Sequence, residues 1–363
     1  MRKIYFFFTI FTIFSCQNKS EKYLEFKSYY TGKYSNQFEI LNNDEYQILR
    51  VSNEHYLLLK EGQKAPKELQ GYPVVHIPVK SIVPTSSTFI PFIDILNENN
   101  SIIGFPGINY ISVKLDNEKE IVDLGQEQLL NIESLLHLNP EVYLSYNFGS
   151  DNERDALIKK AGITVIYNND WQENQPLARA EWIIFYGALY NKIDQAKSIF
   201  HDIESNYNRL KRAQIDSNKT VISGAVFNGV WYSPAGNSFL AQLYRDAGLN
   251  YIYNNSNGTG SLSLDPEAVF NDAREAKYWF NPDANTSLEE LQSQSKIYRE
   301  FDAFKSQNIY GYGRKKGAHD ALMFFDLSGL HPDWLLNDFL YWTSDDKTPY
   351  HSPFLIDKLP KKD

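Results

Sequence analysis

The chain of 363 residues contains one cysteine, Cys16. A lone cysteine excludes an internal disulfide, a two-cysteine metal site and a cysteine pair for redox work. Seven histidines stand at 55, 76, 137, 201, 319, 331 and 351, none at the i,i+4 ligand spacing of a metal helix. No direct metal ligation is therefore expected. The chain has no nucleophile elbow and no phosphate loop, so it does not read as an enzyme, and no catalytic cofactor is expected. Basic residues are in deficit, 36 against 45 acidic, for a formal charge of -9. That excess of acid argues against nucleic acid as a partner, which calls for a basic face. Beyond residue 16 no apolar run approaches the ~20 residues that span a bilayer.

Aromatic side chains are abundant instead: 25 Tyr, 23 Phe and 6 Trp. They supply rigid amphipathic area for binding surfaces, and most belong to the core of a chain long enough for two domains. The N-terminus has a layout of its own. Arg2 and Lys3 precede a bulky apolar stretch from Tyr5 to Phe14, and polar Gln17, Asn18 and Lys19 follow. Positive, apolar, then polar is the order of a secretory signal, here residues 1–15. Ile13-Phe14-Ser15-Cys16 resembles a bacterial lipobox, which implies a lipidated Cys16, a tether over 16–36 and a periplasmic or cell-surface protein held to a membrane. Without residues 1–15 the formal charge is -11.

Periodicity gives an α/β chain. Alternating segments from Phe38 to Lys60 predict hairpins. Further strands are expected near Val74 to Val83, Val142 to Tyr146 and Ile163 to Ile166. Short helices are expected near 85–96, at Leu129 to Leu138 and at Arg154 to Lys160. From Arg179 to Lys211 apolar residues recur at helical spacing, with a potential break near Tyr190 to Asp194. Beyond it, a strand at Thr220 to Phe227, helices from Phe239 and Pro266, a strand at Lys277 to Phe280 and a terminal helix from Pro332 restore the rhythm. The expected division is an N-terminal α/β lobe over 37–178, a helical spine over 179–213 and a C-terminal α/β lobe over 214–363.

Seven stretches carry a family likeness: VPTSSTFIPFIDIL (83–96), NIESLLHLNPEVYL (131–144), AGITVIY (161–167), WQENQPLARAEWIIFYGALY (171–190), WYSPAGNSFLAQLYRDAGLNYIY (231–253), LSLDPEAVFNDAREAKYWF (262–280) and HPDWLLNDFLYW (331–342). In this order and spacing they resemble the helical-backbone class of ABC-transporter substrate-binding lipoproteins, of the cobalamin and iron–siderophore type. The resemblance implies two Rossmann-like lobes on a long backbone helix with a ligand cleft between them. It implies a monomer that carries an organometallic small molecule to an ABC permease dimer. The cargo it implies is a ferric siderophore or similar iron complex, ahead of cobalamin or haem; a surface lipoprotein serving an outer-membrane receptor is the alternative. One departure is Pro140-Glu141, where the family commonly has Pro-Asp. Residues 283–300 find no counterpart.

In that family a glutamate in each lobe faces the transporter, which here implies Glu133 and Glu267. Ordinary surface glutamate at a helix start explains both equally well from the sequence. Ser86, Ser87 and Thr88, with Thr85, form a hydroxyl cluster at a helix start, suited to capping or to ligand contact. Phe89 offers an aromatic edge beside them. Trp171 and Arg179 flank the spine, and Trp231 with Tyr232 opens the second lobe. Tyr312 and the basic loop Arg314, Lys315 and Lys316 are the remaining candidates; such a loop would attract an anionic iron complex, or it is a solvated turn.

Overall fold

The computed structural model describes residues 24–43, 45–146 and 153–361. Cys16 and the signal segment lie outside them. The first five strands form one sheet in chain order: β1 (Lys27–Thr31), β2 (Phe38–Asn42), β3 (Gln47–Val51), β4 (Glu54–Lys60) and β5 (Val74–Ile77). Neighbours are antiparallel as far as β4, and β5 runs parallel to it. Alternation puts Phe38 and Ile40 into the core.

The expected tether thus ends earlier than residue 36, because β1 is part of this sheet. A buried carboxylate holds the turn that follows. Glu181, fully enclosed, accepts hydrogen bonds from the Tyr30 hydroxyl at 2.5 Å and from the backbone N–H groups of Lys33, Tyr34 and Ser35 at 2.6, 2.9 and 2.7 Å. A side chain this polar is buried at little cost only where donors meet its oxygens, as here.

Lobe one follows with β6 (Ile82–Pro84), α1 (Ile90–Ile95), β7 (Gly104–Phe105), β8 (Val122–Asp123), α2 (Ile132–Leu138), β9 (Val142–Ser145), α3 (Glu153–Lys160) and β10 (Thr164–Tyr167). Its main sheet is parallel, in the order β10-β9-β6. Asn139, in the left-handed region at φ 47°, ends α2, and Pro140 prevents its continuation.

The spine is three helices: α4 (Pro176–Glu181), α5 (Ile183–Leu189) and α6 (Ile193–Leu210). The continuous pattern over 179–213 is interrupted at Trp182 and again where Asn191 adopts φ 54°. There the Lys192 N–H reaches back to the Gly187 carbonyl at 2.7 Å, and α5 folds against α6 with no room for a side chain at 187. The long helix is α6. Ile193, Ala196, Phe200, Ile203, Tyr207 and Leu210 form its buried stripe, alternately three and four residues apart. Full burial of each large apolar residue contributes about 1.5–3 kcal/mol.

Lobe two contains β11 (Asp216–Ser223), β12 (Ala225–Phe227), β13 (Val230–Pro234), α7 (Phe239–Asp246), β14 (Leu249–Tyr251), β15 (Ser261–Leu264), α8 (Pro266–Ala273), β16 (Tyr278–Phe280), α9 (Leu288–Gln294), α10 (Asp302–Lys305), β17 (Ile309–Gly311), α11 (Met323–Leu327), α12 (Pro332–Thr343) and β18 (Asp357–Lys358). Its main sheet runs β14-β11-β16-β17-β18, parallel except for β18, and β12-β13-β15 form a small antiparallel sheet. The strand expected over 220–227 is split at Gly224, where φ is 86° and a Cβ would lie 1.8 Å from the Tyr232 carbonyl oxygen. Residues 283–300 fold as α9 and a 3-10 turn. Among the described residues no helix is long and apolar enough to cross a membrane.

Candidate functional site

In open α/β sheets, ligand crevices form beyond the carboxyl ends of the strands. In lobe one, β6 and β9 end beside a cavity of about 340 Å³ whose wall includes Ser86, Ser87, Tyr110, Glu127, Gln128 and Tyr146. A second cavity, of about 320 Å³, lies between the lobes. Thr88 of lobe one, Arg179 of the spine, and Phe239, Phe324, Phe325 and Ser328 of lobe two line it. Both volumes fall in the roughly 300–1,000 Å³ range of small-molecule sites. The hydroxyl cluster 85–88 stands between the two.

A larger cavity of about 520 Å³ lies on the N-terminal sheet. It sits at the ends of β1 and β3, with no residue of the spine or of lobe two in its wall, and its Arg50 and Glu39 are paired with each other. The interlobe position is therefore the better candidate.

Each hydroxyl of the cluster has a local duty. Thr85 donates to the Leu144 carbonyl at 3.1 Å, tying the turn to β9. Ser86 caps the 3-10 turn by accepting from the Thr88 N–H at 3.3 Å. Ser87 faces Asp326 of lobe two, whose proton affinity it helps to hold down. Thr88 is the member that lines the interlobe cavity.

Arg179 is partly buried. It donates from Nε to the Glu173 carbonyl and from Nη2 to the Trp171 carbonyl, both at 3.0 Å. Its guanidinium lies 4.3 Å from the centre of the Phe239 ring, a cation–π contact across the seam between spine and lobe two. Burial lowers its affinity for a proton, and the Asp170 and Glu173 carboxylates oppose that. Burial in turn pushes Asp170 up to about 6.

The lobes are tied directly at the cleft. Asp326 of α11, 2% exposed, accepts from the Ser112 N–H at 2.8 Å and the Ser112 hydroxyl at 2.6 Å. Burial raises its proton affinity and these donors partly offset the rise. Next to it the Ala318 N–H reaches the Ser112 carbonyl at 2.8 Å, and His319 Nε2 lies 3.1 Å from Glu118. A Cβ on Gly317 would fall 2.1 Å from that same carbonyl oxygen, so only glycine permits the approach.

Several expected site residues lie elsewhere. Phe89 is 1% exposed and packs in the main core. Trp231 is fully buried. Its ring stacks 5.4 Å from Trp279, its Nε1 donates to the Ser223 carbonyl at 3.1 Å, and Tyr298 and Phe301 close around it. The parity of β13 decides this: Trp231 faces inward, so Tyr232 faces out, 41% exposed and away from both cavities. Trp171 is exposed and lines neither. Tyr312 supports the wall from behind, stacked 4.8 Å from Phe324, its phenol pushed up to about 12 by burial and by the Asp283 carboxylate. The basic loop turns to the C-terminal segment. Arg314 Nε is 3.4 Å from Asp357, and Lys315 Nζ donates to the Pro353 carbonyl at 2.7 Å. Neither lines a cleft cavity.

The sequence reading missed Tyr110, Tyr146, Phe239 and the Phe324-Phe325 pair. The exposed aromatics Tyr110 and Phe325 are a signal only once burial is known. Glu133 and Glu267 are both exposed, in the first turns of α2 and α8.

Two α/β lobes on a helical spine, with an aromatic and hydroxyl-lined cavity at their seam, define a two-lobed solute receptor. Residues 82–315 match the periplasmic binding protein family. The chain belongs to that family, and is a solute-binding protein of the ABC-transporter type. It is 26% identical over 285 residues to an uncharacterised lipoprotein of Methanocaldococcus jannaschii, covering 72% of this chain and 68% of that one. The fold is similar to that of the petrobactin-binding protein YclQ of Bacillus subtilis, with a TM-score of 0.57 at 14% identity, covering 75% of this chain and 94% of that one. It is also similar to the haem-binding protein HutB of Vibrio cholerae, with a TM-score of 0.56 at 12% identity and coverages of 71% and 99%.

Proposed function

We propose that this protein is the cargo receptor of an ABC importer for a ferric siderophore or similar iron complex. In this reading lipidated Cys16 holds it to a membrane outside the cytoplasm, and it delivers cargo to an inner-membrane permease dimer. The observation that carries the reading is the interlobe cavity, where Thr88, Arg179 and Phe324-Phe325 bring all three parts of the chain to one ligand-sized space. Similarity to proteins named for binding petrobactin and haem supports a bulky iron-bearing cargo. Glu133 and Glu267 serve as two separated acidic pegs that orient the receptor on basic permease residues.

Calorimetric titration with ferric hydroxamate and catecholate complexes, their iron-free forms, haem and cobalamin tests this. Tight binding of one iron complex, weaker without the metal, is the expected result. Tight binding of cobalamin alone, or of nothing in the panel, would overturn the iron reading.

A further inference from the structure

The residues that line the two cleft cavities are nearly free of uncompensated charge. Among the described residues of these walls only Glu127 and Arg179 are ionisable as acid or cation. Glu127 Oε1 is 2.9 Å from Arg154 Nη1, and Arg154 also donates to the Glu127 carbonyl at 2.8 Å. Arg179 gives two of its donor positions to backbone carbonyls, covers a phenyl ring, and stands in the field of Asp170 and Glu173. Each charge is therefore balanced by the protein before any ligand arrives. The basic run at 314–316 offers no substitute at the wall, since none of its three residues lines either cavity and Arg314 and Lys315 are engaged by the C-terminal segment.

What the cleft does present is hydroxyl, amide and aromatic surface: Ser86, Ser87, Gln126, Gln128 and the Phe324-Phe325 pair. A multiply charged anion placed here would lose its hydration with only Arg179, already engaged by the protein, to replace it. A neutral ligand rich in amide and hydroxamate oxygens loses far less, and finds donors in the amides and hydroxyls and apolar contact in the rings.

We propose that the cargo is an electrically neutral ferric chelate of the hydroxamate class, in which three singly charged bidentate groups cancel the charge of the metal. A tricatecholate, which leaves its complex triply negative, is rejected. This assignment rests on the cargo-receptor reading and narrows it.

The test is calorimetric titration with a ferric trihydroxamate and a ferric tricatecholate, each at about 50 mM and about 500 mM salt. The neutral complex should bind at least about tenfold more tightly, with affinity that changes less than about twofold across that salt range. Tighter binding of the tricatecholate, or affinity for either complex that falls steeply with salt, would overturn the charge assignment and leave the receptor reading standing. Binding of neither would overturn both. A second arm uses Glu127→Gln, which removes one negative charge from the cleft wall and leaves Arg154 with Asp155, 3.7 Å away, as its remaining acidic partner. Tricatecholate affinity should rise by about tenfold while trihydroxamate affinity moves less than about threefold. An unchanged ratio of the two affinities in this variant would contradict the charge balance.

Discussion

Turned outward, the two lobes repeat one construction. Asn131 caps α2 and Asp265 caps α8, each side-chain oxygen accepting from the first turn of its helix. Two residues past each cap stands an exposed glutamate, Glu133 or Glu267, and four past it a fully buried apolar residue, Leu135 or Val269. Turned inward, the lobes differ. Lobe one offers hydroxyls and amides, with Tyr110 and Tyr146 at the rim, whereas lobe two offers Phe239, Phe324 and Phe325. A repeated feature suits a partner that is itself repeated, as a permease dimer is. Unlike walls suit a cargo with a polar face and an apolar one.

The outward likeness is tested by reversing it. In Glu133→Arg with Glu267→Arg, uptake in cells should be abolished, while cargo affinity of the purified protein stays within about twofold. A parallel fall in affinity would remove the docking role from both residues.

The lobes share one hidden feature as well. Asp170, after β10, and Asp338, in α12, are each pushed up to about 6 by burial. The Phe354, Leu355 and Ile356 N–H groups, at 2.9, 2.6 and 2.9 Å, partly offset that rise at Asp338. A raised folded-state value means that the folded chain takes up these protons first as pH falls. The contribution is fully present below the unfolded value of 3.8 and is lost as pH rises through about 6. Each site is worth up to about 3 kcal/mol across that window. Denaturant titrations of Asp170→Asn and Asp338→Asn from pH 4 to pH 8 should show a flatter pH dependence than the parent. Parallel curves for parent and variants would refute the shifts.

The inward difference is tested wall against wall. Phe325→Ala should weaken cargo binding by about tenfold, since an aromatic contact contributes about 0.5–1.5 kcal/mol. Gln128→Ala, on the exposed amide of the lobe-one wall, should weaken it by about twofold. The reverse order would place the cargo mainly on lobe one.

The smallest effect is expected at the basic loop. Arg314→Ala with Lys315→Ala should leave cargo affinity unchanged and lower stability by no more than about 1 kcal/mol, the scale of exposed ion pairs. A large loss of affinity would return these residues to the cleft.

The repeating units were legible in the sequence because local rules set them. Asn139-Pro140 stops a helix, and the Pro266 helix start with Glu267 is visible without tertiary information. The break at Asn191 was legible as a weakness in a helical pattern; the kink at Trp182 was not, since the chain stays buried through the turn and on along α5. The cleft was legible only in part. Thr88 and Arg179 lie on its wall, but Trp231, a candidate for the ligand rim, is turned inward by β13. Strand parity depends on which neighbour sets the register, here Leu264 of β15. The basic loop looked like an anion site because its partners, Asp357 and the Pro353 carbonyl, lie some forty residues further along the chain.

Cargo held between the lobes covers both walls at once, which amide hydrogen exchange with and without saturating ferric chelate reads out. Joint protection of Ser86 to Phe89 in lobe one and Met323 to Ser328 in lobe two is expected. Protection confined to the N-terminal sheet, residues 27–60, with calorimetric binding intact, would contradict it.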